Sequence, residues 1–271
     1  MNAHIKTLAK ETIIHESESI RKLADYIDDD FEKIVDLIYS SNGRVVITGI
    51  GKSANIANKI VATLNSTGTP AIFMHAADAI HGDLGIIQKN DVIICISKSG
   101  NTPEIKVLIP LIKYRKNKLI GMVSQTDSFL GENADYLLNA SVEKEACPHN
   151  LAPTSSTTAQ LVMGDALAVC LLEYRGFSKD DFAKVHPGGS LGKKLYMTIE
   201  DLYKQNEAPQ VNVKDPLKEV IIEITSKRLG ATAVMDNNKN MAGLITDGDL
   251  RRMLQKQVKI EDIKAEDIMT K

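Results

Sequence analysis

Between residues 45 and 138, short and almost wholly apolar runs alternate with stretches of helical periodicity. The runs are Val45-Val46-Ile47-Thr48, Ala71-Ile72-Phe73-Met74, Val92-Ile93-Ile94-Cys95-Ile96, Leu119-Ile120-Gly121-Met122-Val123 and Tyr136-Leu137-Leu138. A strand with one wet face alternates apolar and polar residues. These do not, so both faces must be covered, as in a parallel sheet flanked by helices. Between the runs, Ile56, Ile60, Val61 and Leu64 share one helical face, and Pro103 to about Tyr114 reads as a second helix. A long helix follows over about residues 159–174. The fold class is therefore α/β, a doubly wound parallel sheet in an αβα sandwich. Ligands of such sheets bind beyond the carboxyl ends of the strands. Function should lie in the loops after Thr48, Met74, Ile96, Val123 and Leu138.

Two flanking regions have a different texture. Residues 3–40 read as two helices, with Ile13, Ile20, Leu23 and Ile27 on a stripe and Asp28-Asp29-Asp30 supplying a cap for the second. Near residue 200 a polar linker, Lys204-Gln205-Asn206-Glu207-Ala208-Pro209, separates a small β-α-β-β-α unit. The expected domains are 1–200 and 201–271, and the second is small enough to need a partner. A net charge of −2 over 271 residues gives no basic face for nucleic acid. Cys95, Cys147 and Cys170 are three in number and widely spaced, which fits a reducing, cytoplasmic setting better than a disulfide framework. No uninterrupted apolar run reaches the length of a membrane span, and the amino terminus does not read as a signal peptide.

Ser97-Lys98-Ser99-Gly100-Asn101-Thr102 runs from a buried strand into Pro103-Glu104. Thr102 suits an N-cap and Pro103 the first helical position. Unpaired N–H groups, a partial positive charge, a permissive Gly100 and three hydroxyls make a phosphate cradle of neutral donors. An ordinary capped helix start has the same appearance. Gly49-Ile50-Gly51-Lys52-Ser53-Ala54 also opens a helix. Val46 stands where a P-loop needs glycine, and Met74-His75-Ala76-Ala77 lacks the acidic residue of a dinucleotide fold. No nicotinamide or flavin cofactor is expected. A tight turn presenting Lys52 and Ser53 remains. Thr154-Ser155-Ser156-Thr157-Thr158 exceeds what capping needs and suggests a polyol ligand. Glu145 precedes this loop. His186-Pro187-Gly188-Gly189 presents an imidazole, and His81 lies in a loop whose spacing from His75 is no metal signature.

In order along residues 3–200, these loops closely resemble those of arabinose-5-phosphate isomerases, members of the sugar isomerase (SIS) fold family. His81-Gly82-Asp83-Leu84-Gly85, Lys144-Glu145-Ala146-Cys147-Pro148 and His186-Pro187-Gly188-Gly189 carry the likeness beyond the serine loop. The tail, ending in Gly243-Leu244-Ile245-Thr246-Asp247-Gly248-Asp249, resembles one cystathionine-β-synthase (CBS) repeat, and Ala265-Glu266-Asp267-Ile268-Met269-Thr270 looks like the start of a second. The family habit implies a homotetramer.

The resemblance implies interconversion of D-ribulose 5-phosphate and D-arabinose 5-phosphate through an enediol, supplying synthesis of the octulosonic sugar Kdo. It marks Lys52, His81, Glu104, Glu145 and His186 as catalytic. Gly51, Ser53, Ser97, Ser99, Gly100, Asn101, Thr102, Thr154, Ser155 and Ser156 are expected around the substrate. Glu145 is assigned the proton shuttle between carbons, Lys52 the enediolate oxygen, and His186 ring opening. Glu104 has a simpler reading as a dipole-stabilising residue. No metal is expected to be required, although Lys52, His81, Glu145 and His186 converging on one pocket would trap zinc as an inhibitor. The alternatives are an isomerase for another phosphosugar and a non-catalytic sugar-phosphate sensor.

Overall fold

The amino-terminal stripe forms α1 (Asn2–Leu23), and Asp28 caps α2 (Asp29–Ser40) by accepting the amides of Asp30 and Phe31. The structure, a computed structural model, describes residues 2–204, 207–255 and 260–271. Next come β1 (Val45–Gly49), α3 (Lys52–Ser66), β2 (Ala71–His75), α4 (Ala76–Ala79), β3 (Val92–Ser97) and α5 (Pro103–Tyr114). After these lie β4 (Lys118–Val123), α6 (Phe129–Asn133), β5 (Tyr136–Asn139) and α7 (Ser155–Tyr174).

The five strands are all parallel, in the order β2-β1-β3-β4-β5. Their apolar runs divide residue by residue between two cores. Val45, Ile47, Ile94, Ile96, Ile120 and Met122 face α2, α3 and α7. Val46, Ile93, Cys95, Leu119 and Val123 face α5 and the short α4. Both faces are covered, which is why the runs lack polar alternation. The chain steps from β1 outward to β2, then returns to β3 and proceeds the other way. The strand order therefore reverses between β1 and β3, and a crevice opens at their carboxyl ends.

Among the described residues, α7 is the one helix long and apolar enough to cross a membrane. Half of that length is buried, and Ala159, Met163, Leu167 and Leu171 pack into the core beside α3. This is the central core helix of the sandwich.

Three short helices follow: α8 (Lys179–Val185), α9 (Ser190–Tyr196) and α10 (Ile199–Tyr203). The chain divides into two compact units, Met1–Gly192 and Lys193–Lys271, earlier than the expected boundary. Gln205 and Asn206 of the expected linker lie outside the described residues.

The second unit contains β6 (Gln210–Asn212), α11 (Leu217–Lys227), β7 (Ala231–Met235), β8 (Met241–Thr246), α12 (Asp247–Leu254) and α13 (Ala265–Ile268). Strand β7 pairs in parallel with β6 and antiparallel with β8. Its core joins Val211, Val220, Ile224, Val234 and Ile245 with Ala265. Thr270 and Leu244 exchange both backbone hydrogen bonds, at 2.8 and 2.9 Å. A Cβ at Gly243 would meet the Thr270 carbonyl at 2.7 Å, so glycine admits this segment. Residues 265–270, expected to begin a second repeat, thus complete the core and sheet of the first.

Candidate active site

The loops after β1 and β3 and the start of α7 enclose a cleft of about 270 Å³. Lys52, Ser53, Ser97, Lys98, Ser99, Thr102, Ser156, Thr157 and Gln160 line it, with Ile50, Ile96 and Pro153. Its charged residues are two lysines, so its potential favours an anion.

The β3 loop is built to leave donors free. Gly100 has φ +62°, and an added Cβ would lie 1.9 Å from the Ser128 hydroxyl. Only glycine fits this turn. The Gly100 amide donates to Ser97 Oγ at 3.1 Å, and its carbonyl accepts from the Leu130 amide at 3.0 Å. Asn101 accepts from the Phe129 amide through Oδ1, at 3.3 Å, and the Ser99 hydroxyl accepts the Asn101 amide, also at 3.3 Å. Thr102 occupies the N-cap position, yet its hydroxyl pairs with Ser97 Oγ at 3.2 Å. Among the described residues, no side chain caps α5. The same holds for α3, which starts at Lys52 after Gly51 at φ +59°. Two helix starts with free amides therefore face the cleft from β1 and β3.

The third helix start is occupied. Glu145 is 2 % exposed and accepts the amides of Thr154 and Ser156 on Oε2, at 2.8 and 3.1 Å. Thr154 Oγ1 adds a bond to Oε2 at 3.2 Å. Oε1 accepts from the Ser156 hydroxyl at 2.5 Å and from Lys98 Nζ at 2.6 Å. Burial alone would raise this carboxyl. Lys98, Ser156 and the two amides outweigh that cost and hold it at about 2, against an ordinary 4.5. Asn150, at φ +54°, fixes the loop by accepting the Glu145 amide at 2.6 Å. Cys147 Sγ accepts the amides of Leu151 and Ala152, each at 3.1 Å.

The five hydroxyls expected for a polyol are therefore mostly engaged within the protein. Thr154 and Ser156 grip Glu145, Thr157 bonds back to the Thr154 carbonyl at 2.9 Å, and Thr158 reaches Glu16 at 3.2 Å. Ser155 Oγ is buried with no partner among the described residues. Ser53 donates to the buried Gln160 at 3.2 Å, joining α3 to α7 across the cleft.

The remaining expected residues are dispersed. Glu104 is the second residue of α5, and its Oε2 is buried without a partner among the described residues. His81 sits exposed in the turn after α4. His186 is not in the cleft of its own chain. Helix α7 spans about 30 Å and carries the chain from the carboxyl ends of the strands to their amino ends. There Arg175 bonds Thr69, which precedes β2, and α8 follows. His186 ends α8, stacked on Phe182 at 3.8 Å with Nδ1 bonded to the Phe182 carbonyl. The zinc-trapping quartet is therefore not assembled within one chain. Among the described residues no three His, Cys, Asp or Glu side chains group to hold a metal.

Residues 37–170 match the SIS domain family and residues 199–256 the CBS domain family. The arabinose 5-phosphate isomerase KdsD of Pseudomonas aeruginosa is 48% identical over 263 residues, covering 97% of this chain and 81% of that protein. This chain belongs to the arabinose 5-phosphate isomerase family. Another member, KdsD of Francisella tularensis, is 47% identical over all of this chain and 84% of its own length. A solved E. coli CFT073 structure in complex with arabinose 5-phosphate has a TM-score of 0.67 at 38% identity, covering 69% of this chain and 100% of its own. The Vibrio vulnificus NanR protein complexed with ManNAc-6P shares the fold alone, at 20% identity and a TM-score of 0.58.

Two residues of this family member's cleft, Lys98 and Gln160, are not singled out by sequence reasoning. Gln160 sits one turn beyond Ser156 on the same face of α7, a spacing visible in the sequence. Lys98 offers no such signal, because its partner lies 47 residues away.

Proposed function

We propose that this protein interconverts D-ribulose 5-phosphate and D-arabinose 5-phosphate as an aldose-ketose isomerase. One observation carries the reading. A single cleft at the switch point unites an uncapped helix start, a lysine at a second helix start and a carboxylate behind its wall. The phosphate binds at the start of α5, where free amides and the hydroxyls of Ser97, Ser99 and Thr102 converge. The sugar extends from there toward Lys52 and α7.

The chemistry is redox-neutral within the substrate. The ring opens, one carbon-bound proton leaves carbon 1 or 2 and returns to the other, and a hydroxyl proton moves between the two oxygens. Glu145 carries the carbon proton, a role worth about 10²–10⁴ in rate. Lys52 stabilises the enediolate oxygen, worth about 10²–10³. His81 and Glu104 approach from the β2 and β3 loops. His186 serves ring opening in a neighbouring copy, since it follows α7 and α8 at the end of its own sheet opposite the cleft. A homotetramer supplies such a neighbour. The enzyme works in the cytoplasm, where the free, buried Cys95 stays reduced, and its product feeds Kdo synthesis.

The test is incubation with ribulose 5-phosphate in deuterated water. Arabinose 5-phosphate carrying deuterium at carbon 2 is the expected product. Absence of turnover on this substrate overturns the assignment. Turnover confined to another phosphosugar moves the protein to a different isomerase class.

A further inference from the structure

Lys98 has a place no other cleft residue shares. It belongs to the loop that begins α5, so its ammonium is within a side chain's reach of any anion bound at the free amides of that helix. Yet it points to Glu145, at 2.6 Å. Its backbone is fixed, because its carbonyl accepts the Ser124 amide of the β4 loop at 3.1 Å. Only the side chain is free to change partner, and it is 44% exposed. Glu145 is fully enclosed behind Lys98 and Ser156, which both line the cleft and both bond Oε1.

We propose that Lys98 is a positioning residue with two partners: in the free protein it closes over Glu145, and a phosphate bound at the start of α5 draws it away, opening Oε1 to the cleft. The inference deepens the isomerase reading and rests on it for the identity of the phosphate-bearing ligand. A phosphate dianion in a cradle of neutral donors competes well for an ammonium held by one carboxylate oxygen. Glu145 keeps its other four bonds throughout, so the carboxylate stays oriented while it is uncovered. Phosphate capture at one end of the substrate thereby prepares the base at the other. Without substrate the base is sheltered from solvent.

The test is a double-mutant cycle on inorganic phosphate affinity, measured by calorimetry on the full chain. Lys98→Met should weaken binding about tenfold or more, the scale of a charge-assisted hydrogen bond. Glu145→Gln should tighten binding several-fold in the wild-type background, because Lys98 no longer has a competitor. That gain should vanish in the Lys98→Met background. Persistence of the gain without Lys98 means a general charge effect and overturns the exchange. Unchanged affinity in Lys98→Met also overturns it. Should Glu145→Gln not fold, ¹³C-dimethylated Lys98 in the wild type decides: its signal must shift on phosphate addition, and a fixed signal refutes the proposal. None of these readouts needs turnover, so they remain informative if the isomerase reading itself fails. Under that reading, Lys98→Met should also lower kcat less than it raises KM.

Discussion

Two helix starts face the same cleft in opposite electrostatic states. At α7 the amides of Thr154 and Ser156 are filled by the protein's own anion, Glu145. At α5 no side chain among the described residues caps the helix, and the Thr102 hydroxyl turns to Ser97 instead. The underlying physics is the same, since each helix start concentrates unpaired N–H groups and partial positive charge. The difference is which anion the sequence provides. One site is stabilised during folding, and the other is left for a ligand. Lys98 stems from the loop of one and bonds the anion of the other, and the proposed exchange couples them.

Emptying the α7 site should have the largest effect. Glu145→Ala strands two helix amides, two hydroxyls and the Lys98 ammonium and should cost about 3 kcal/mol in chemical denaturation. Because this carboxyl is depressed from 4.5 to about 2, its contribution is fully present above about pH 4.5 and is lost as pH falls toward 2. The stability difference between wild type and Glu145→Gln should therefore be constant near neutrality and shrink through that acid window. A difference unaffected by pH contradicts the buried ion pair. Lys52→Met should lower kcat about 10²-fold while leaving thermal stability unchanged, because Lys52 is exposed at the very start of α3.

Filling the α5 site is the complementary change. Gly100→Ala places a methyl against Ser128 and imposes a positive φ on alanine. It should raise KM about tenfold through a strain of about 1–3 kcal/mol, with a smaller effect on kcat. An equal fall in kcat and rise in KM would mean that the loop does more than hold phosphate. The smallest effect expected is that of Ser156→Ala, about 1 kcal/mol of stability. It should also move the Glu145 titration upward, read by ¹³C shifts of the carboxyl.

What can be read from the sequence follows the range of the interactions involved. The strands are legible because Ile93, Ile94, Cys95 and Ile96 are buried on alternate faces of one continuous apolar run. The cap of α2 is legible because Asp28 bonds amides two and three residues ahead. Helix α7 starts about four residues before its periodicity predicts. Its hydroxyls resemble loop, and its true cap, Glu145, lies nine residues upstream of Thr154. Helices α8 to α10 leave no long apolar stripe to read: they are five to seven residues each, and α8 and α9 are largely exposed. The chemical interest of His186 is plain in the sequence, but its distance from the cleft depends on the length and direction of α7. The loops after β1 and β3 stand out, because parallel sheets place ligand sites at the carboxyl ends of their strands. Lys98 is invisible beside them, since a lysine in a polar loop resembles any solvated lysine.

Under the proposed function, phosphate enters at α5 while α7 is already satisfied. Amide ¹⁵N shifts during titration with inorganic phosphate test it directly. Large shifts are expected at residues 99–102 and at Glu104, and small ones at Thr154 and Ser156. Large shifts at Thr154 and Ser156, with residues 99–102 and Glu104 unmoved, would contradict it.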